Sequence, residues 1–172
     1  VVDIGQGSDT VLAQICAEAL QLPIEQVSFA SPDTDSSPYN WKTAASRVTY
    51  MAGRAVLAAS YEVKDKIIAA AAEMMECAMV DLELAPGGMV RLKGVPGREL
   101  PFAAIAGRSH YVAGGPISGA ESLMFDGERM DPKRAAVEGF AFSNLGVYTF
   151  GAQAAEVEID EVTGQVHVLR AW

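Results

Sequence analysis

From about Ala45 to Cys77 the chain keeps apolar residues at helical spacing: Val48, Met51, Ala52, Ala55, Val56, Ala59, Val63, Ile67, Ala71, Met74 and Met75. A stripe recurring every three to four residues predicts one long helix with a buried face. A helix of that length must bury its stripe against several other elements, so it limits the fold more than any other feature. Its alanines and Gly53 predict that another backbone packs closely against it. The methionines read as core filler, not as metal ligands. Glu62 and Lys66 form a favourable pair one helical turn apart on the outer side.

The other elements are shorter. Val11, Leu12, Ile15, Cys16 and Ala19 share one face of a helix from about Ser8 or Asp9 to Leu22, with Ser8 or Asp9 as cap and Pro23 as its stop. Val1-Val2 and Gln26 to Ala30 read as strands. A polar loop from Ser31 to Asn40 contains turn formers and nothing that could build a core. Met79 to Leu84 and Met89 to Lys93 predict a hairpin about Pro86-Gly87-Gly88. Phe102 to Gly107 reads as a single helical turn, and Ser109 to Lys133 as irregular structure. Ala155, Val157 and Ile159 alternate with Glu156, Glu158 and Asp160, then turn through Thr163 and Gly164 into Val166, Val168 and Arg170. Helices and antiparallel strands without a regular βαβ pattern predict an α+β fold.

Composition narrows the function classes. Half of the 172 residues are apolar and 20% are charged, as in a globular protein, and the length suits one domain or two small ones. A net charge of -9 without a basic stripe argues against nucleic acid. No apolar run approaches the length of a membrane span. Cys16 and Cys77 lie at apolar helical positions and read as buried free thiols, which fits a cytoplasmic protein. The chain starts on Val1-Val2 and stops in mid-strand at Trp172, so it reads as a piece of a longer polypeptide. Exposed sheet edges at such ends would be covered by the rest of the subunit or by a homo-oligomer contact.

Several chemistries find no support. His110 and His167 stand near no activated serine or thiol signature. There is no P-loop and no Cys/His cluster for zinc or iron–sulfur. The row Glu156, Glu158 and Asp160 reads as the solvated face of a sheet; an enzyme built on it is a weaker alternative.

Two segments remain. Gly5-Gln6-Gly7-Ser8-Asp9-Thr10 opens the first helix, where glycines let a ligand approach and free amides point forward. Gln6 can both donate and accept hydrogen bonds there. The third glycine of a dinucleotide fingerprint is missing, with Thr10 in its place. Thr43-Ala44-Ala45-Ser46-Arg47-Val48-Thr49 opens the long helix with small residues, two hydroxyls beyond Ala45 and a guanidinium suited to phosphate or carboxylate. Each alone also reads as an ordinary helix start, with Thr43 or Ser46 capping the second. Side by side, the two helix starts could converge on one elongated polar ligand.

The combination resembles the large, molybdopterin-binding subunit of the xanthine dehydrogenase / aldehyde oxidase family of molybdenum hydroxylases. The resemblance rests on Gly5-Gln6-Gly7, Thr10, Gln14-Ile15, Ala17-Glu18-Ala19-Leu20, Leu22-Pro23, Asp33-Thr34, Thr43 to Thr49, Gly53 and Ala55-Val56. It resumes at Ala155 to Asp160 and Thr163 to Val166, and is weakest from about Gly94 to Phe140. It implies one fragment, residues 1–172, of a molybdenum-cofactor-binding domain. In such proteins Gln6 would bond the pterin, with Gly5 and Gly7 allowing contact. Ala45, Ser46, Val48 and Thr49 would bind pterin or phosphate, and Ala44 and Ala45 would lie toward metal and substrate; the role of Arg47 stays open. The cofactor would be molybdenum-molybdopterin, in mononucleotide or dinucleotide form. The [2Fe-2S] clusters and FAD would sit on partner domains or subunits, and the substrate would be a small aldehyde or aromatic heterocycle. The family's Gly-Val-Gly-Glu motif, which carries the catalytic base, does not occur here. The fragment alone is therefore expected to be inactive. The alternative is a non-catalytic binding or assembly module on the same scaffold.

Overall fold

The computed structural model describes residues 1–35, 37, 40, 42–44, 46–112, 114–122 and 151–172. They fall into two compact units, Val1–Met124 and Phe125–Trp172.

In the first unit, α1 (Ser8–Leu20) packs along a π-helical turn (Val48–Ala52) and α2 (Gly53–Met75). A three-stranded antiparallel sheet follows, β1 (Leu82–Ala85), β2 (Met89–Leu92) and β3 (Glu99–Pro101), in the order β1-β2-β3. Then comes α3 (Phe102–Tyr111). The core joins the last half of α2 to this sheet and to α3: Ile67, Ile68, Ala71, Ala72 and Met75 meet Leu82, Leu84, Val90 and Ile105. Ala71, Val90 and Ile105 are wholly excluded from solvent. Each large apolar side chain buried in this way contributes about 1.5–3 kcal/mol of transfer free energy.

Close approaches to the long helix occur at Gly53, against a side chain, and at Gly119, as backbone against backbone. A side chain at Gly53 would meet Ile15 of α1 at 2.8 Å. One at Gly119 would meet the Ala59 carbonyl oxygen at 2.4 Å, so the segment before residue 122 lies directly on α2. Glu62 and Lys66 pair at 2.6 Å and hold that segment, Lys66 donating to the Ser118 carbonyl (2.7 Å) and Glu62 accepting the Ala120 amide (3.0 Å). Arg98 crosses from the sheet to donate to the Met75 carbonyl (3.0 Å), placing a cation at the negative end of α2.

Some expectations need correction. α1 stops at Leu20, because Gln21 turns left-handed (φ 54) and the Leu22 amide closes back on Ala17 at 2.9 Å. α2 ends likewise at Met75, with Glu76 left-handed (φ 52). Neither Ser8 nor Asp9 caps α1; Gly7 occupies that position with φ 80. Val1-Val2 and Gln26 to Ala30 join no ladder among the described residues. Val2 instead spends both backbone groups on a side chain, and Ile24–Gln26 closes a tight 3-10 turn. The helix expected over Phe102 to Gly107 continues to Tyr111, carrying His110 with it, because Gly107 is tolerated inside it. β3 was too short to show an alternation. Cys16 and Cys77 are free, as expected, but only half-buried. The stretch from Ser109 to Lys133 is irregular beyond Tyr111 as far as it is described, and residues 123–133 lie outside the described residues.

In the second unit, β4 (Ala155–Ile159) pairs antiparallel with β5 (Val166–Ala171). Glu158 faces His167 and Glu156 faces Arg170, with an irregularity beside Val157 where Leu169 is inserted. Asp160 accepts the Val162 and Thr163 amides at 2.8 and 3.0 Å and shapes the turn. Those bonds hold its carboxyl below the usual range, that of Thr163 contributing most.

Candidate functional site

The two segments singled out by their residue types meet in the first unit. Thr43 is the hinge of that meeting. Its hydroxyl oxygen accepts the Val2 amide at 3.0 Å, and its hydroxyl hydrogen goes to the Val2 carbonyl at 2.8 Å. The same carbonyl receives Gln6 Nε2 at 3.4 Å. One peptide unit therefore joins the Thr43 segment to the glycine loop. Thr43 does not cap the long helix; its hydroxyl serves a tertiary contact instead.

The glycine loop is not the open amide cradle that its residues suggest. Asp3 folds over it: Oδ1 accepts the Gly5 amide at 2.7 Å and the Gly7 amide at 3.4 Å, and Oδ2 accepts the Asp9 amide at 3.2 Å. The Gly7 and Asp9 amides at the head of α1 thus already face a carboxylate. These bonds, Gly5 first and Asp9 next, hold the Asp3 carboxyl below its ordinary value. Gly5 and Gly7 take φ of 100 and 80, which a side chain would strain, and open space lies where a Cβ would project. The glycine surface is therefore accessible even though its amides are taken.

Gln6 is tied down as well. Oε1 accepts the Ile4 amide at 2.7 Å, and Nε2 donates to Ser8 Oγ at 3.0 Å as well as to Val2. Both of its donors are used, and one acceptor lone pair remains. Asp9 Oδ1 is buried and meets no hydrogen-bond partner. The remaining lone pair of Gln6 Oε1, on an exposed residue beside glycines with open space, suits a ring bearing N–H donors.

The second segment departs from a regular helix start. Its first turn is π-helical, with the Gly53 amide reaching back to Val48. Such turns are rare and widen the backbone locally. Ser46 is left-handed (φ 52) and exposed, which carries strain in a residue with a Cβ, and it caps nothing. Thr49 is exposed, Val48 is buried against the helices, and Ala44 is exposed with its carbonyl accepting the Arg47 amide at 3.4 Å. Ala45 lies outside the described residues. Arg47 turns to the polar loop, donating from Nη1 to Asn40 Oδ1 at 2.9 Å and to the Lys42 carbonyl at 2.7 Å.

Gly5, Gln6, Gly7 and Thr43 thus share one hydrogen-bonded assembly, while Ser46, Arg47 and Thr49 follow Thr43 in the chain. Sequence reasoning missed Asp3. Its signal was present: an acidic residue two positions before a glycine commonly folds onto the following amides. Among the described residues no group of acidic, histidine or cysteine side chains could hold a metal ion.

A family model described as the molybdopterin cofactor-binding domain matches residues 1–172. The gamma subunit of the 6-hydroxypseudooxynicotine dehydrogenase complex from Paenarthrobacter nicotinovorans is 31% identical over 167 residues, which are 97% of this chain and 19% of that protein. The carbon monoxide dehydrogenase large chain from Afipia carboxidovorans is 32% identical over 168 residues, 98% of this chain and 19% of that one. Among solved structures, reconstituted CO dehydrogenase from Oligotropha carboxidovorans superposes with a TM-score of 0.73 at 28% identity, over 98% of this chain and 19% of that chain. The sequence thus spans about a fifth of the length of these relatives. With the whole of its length matched, the chain belongs to the molybdopterin cofactor-binding domain family.

Proposed function

We propose that this chain is one part of the cofactor-binding domain of a molybdenum hydroxylase, and that its role is to hold the pterin end of the cofactor. The observation that carries the reading is the hydrogen-bonded union of the Gly5-Gln6-Gly7 loop with Thr43 through Val2. The residues fit the group: open glycine surface and a spare lone pair on Gln6 Oε1 suit a ring edge rich in N–H donors. Ser46 and Thr49, a few residues after Thr43 in the chain, offer exposed hydroxyls. Ala44, Ala45 and Val48 would add backbone contacts, and Arg47 would steady the polar loop that borders them.

When bound, the molybdenum cofactor supplies two-electron oxidation of a small aldehyde or aromatic heterocycle with oxygen drawn from water. The residues of this chain bind and orient it; no acid–base group for the reaction stands among the described site residues. Electron-transfer partners carrying [2Fe-2S] clusters and FAD complete the reading, in line with the relative that is a subunit of a dehydrogenase complex. So does a cytoplasmic location; among the described residues no helix is long and apolar enough to cross a membrane.

The test is cofactor content. In the subunit that carries this chain, Gln6→Ala and Ser46→Ala are expected to lower molybdenum and pterin per folded protein. Parental content in both variants would remove the assignment.

A further inference from the structure

We propose that Asp3 and Thr43 are positioning residues, which hold the glycine loop and the Thr43 segment ready for the cofactor before it arrives. The inference rests on the reading above. Asp3 gathers the amides of Gly5, Gly7 and Asp9 onto one carboxylate. Without that internal anion, two glycines flanking Gln6 would sample many backbone states, and binding would have to bear the cost of ordering them. Bonds to an ionised carboxylate are among the stronger hydrogen bonds available to a loop. A loop ordered in advance raises affinity without touching the ligand.

This arrangement also changes what the loop can recognise. The Gly5, Gly7 and Asp9 amides are occupied, so recognition passes to the Gln6 side chain and the open glycine face. Thr43 is the second pin. It clasps both the N–H and the C=O of Val2, and the same Val2 carbonyl accepts from Gln6. Valine has nearly the shape of threonine but can make neither bond, whereas serine keeps both.

The experiment uses the subunit that carries this chain. Released, oxidised pterin is measured by fluorescence and molybdenum by elemental analysis, both per folded protein judged by circular dichroism. The parent is measured first, and a parent without pterin would remove the functional reading itself. With a loaded parent, Asp3→Ala and Thr43→Val are expected to retain roughly a tenth of the cofactor or less. Thr43→Ser is expected to stay within about twofold of the parent. Asp3→Asn keeps an oxygen for Gly5 and Gly7 but loses the charge, and should fall between. Formate added during loading should partly restore Asp3→Ala, because it can occupy the vacated carboxylate position.

Folded Asp3→Ala and Thr43→Val proteins that carry parental cofactor would overturn the proposal. So would a rise in cofactor on removing Asp3, which would make its carboxylate a competitor of the ligand. Should Asp3→Ala fail to fold, the contrast of Thr43→Val with Thr43→Ser decides, together with Asp3→Asn.

Discussion

Two regions of the first unit are held together by different forces. Around the last half of α2, apolar side chains from α2, β1, β2 and α3 pack together, with Ala71, Val90 and Ile105 wholly buried. Around the head of α1, Asp3 accepts from backbone amides, and Gln6 and Thr43 donate to the Val2 carbonyl. Apolar packing is distributed over many contacts and tolerates rearrangement, so it makes a stable but chemically blank platform. Polar pins are few and directional. They contribute little to overall stability, yet they set the position of named atoms, as a binding site requires. The comparison teaches that apolar packing and directional polar contacts occupy separate parts of one unit.

The largest way to break that comparison is on the apolar side. Ile105→Ala should cost about 2–5 kcal/mol, since its side chain is wholly buried and leaves a cavity. Chemical denaturation would read this, and a loss below about 1 kcal/mol would mean that the core is less closely packed than described. Gly119→Ala comes next, at about 1–3 kcal/mol, because the new methyl would meet the backbone oxygen of Ala59 and force the segment off α2. Stability equal to the parent would show that this segment does not rest there in solution.

On the polar side the expected stability effect is the smallest. Thr43→Val should change stability by about 1 kcal/mol while changing cofactor retention far more. Equal effects on both would erase the distinction between the regions. Acid sharpens it further. Asp3 has a folded-state pKa lowered by its backbone hydrogen bonds. Its contribution is therefore fully present above the ordinary carboxylate range and is lost as pH falls through the lowered folded value. Cofactor retention in the parent should decline over that acidic interval, and Asp3→Asn should flatten the part of the decline that Asp3 causes. A profile identical in parent and variant would contradict the assigned role. Glu62 is lowered too, chiefly by its bond from Lys66, so the variant comparison rather than the bare profile is decisive.

The residues show how far a sequence can be read. The long helix is legible because its stripe is a local repeat, and Ile67, Ala71 and Met75 are buried as their spacing requires. The hairpin about Gly87 and Gly88 is legible because turn chemistry is local: both glycines have positive φ, and Gly88 presses on Leu22, where no side chain would fit. β3 is not legible, since three residues pairing Glu99 with Arg91 and Leu100 with Val90 carry no alternation of their own. The π-helical turn at Val48–Ala52 is equally hidden, being a choice among helical hydrogen bonds that the same residues allow.

By itself the sequence determined the α+β class, the long helix and the two small-residue segments, because periodicity and turn chemistry act between near neighbours. Its resemblance pointed to the family that the whole-length match bears out. Only the tertiary structure decided how those segments are used. The loop amides that looked free are held by Asp3, and Thr43, which looked like a cap or a ligand contact, clasps a residue 41 positions away. Hydrogen bonds satisfy whichever partner the fold brings within reach, and that choice is made by the packing of α1 beside α2.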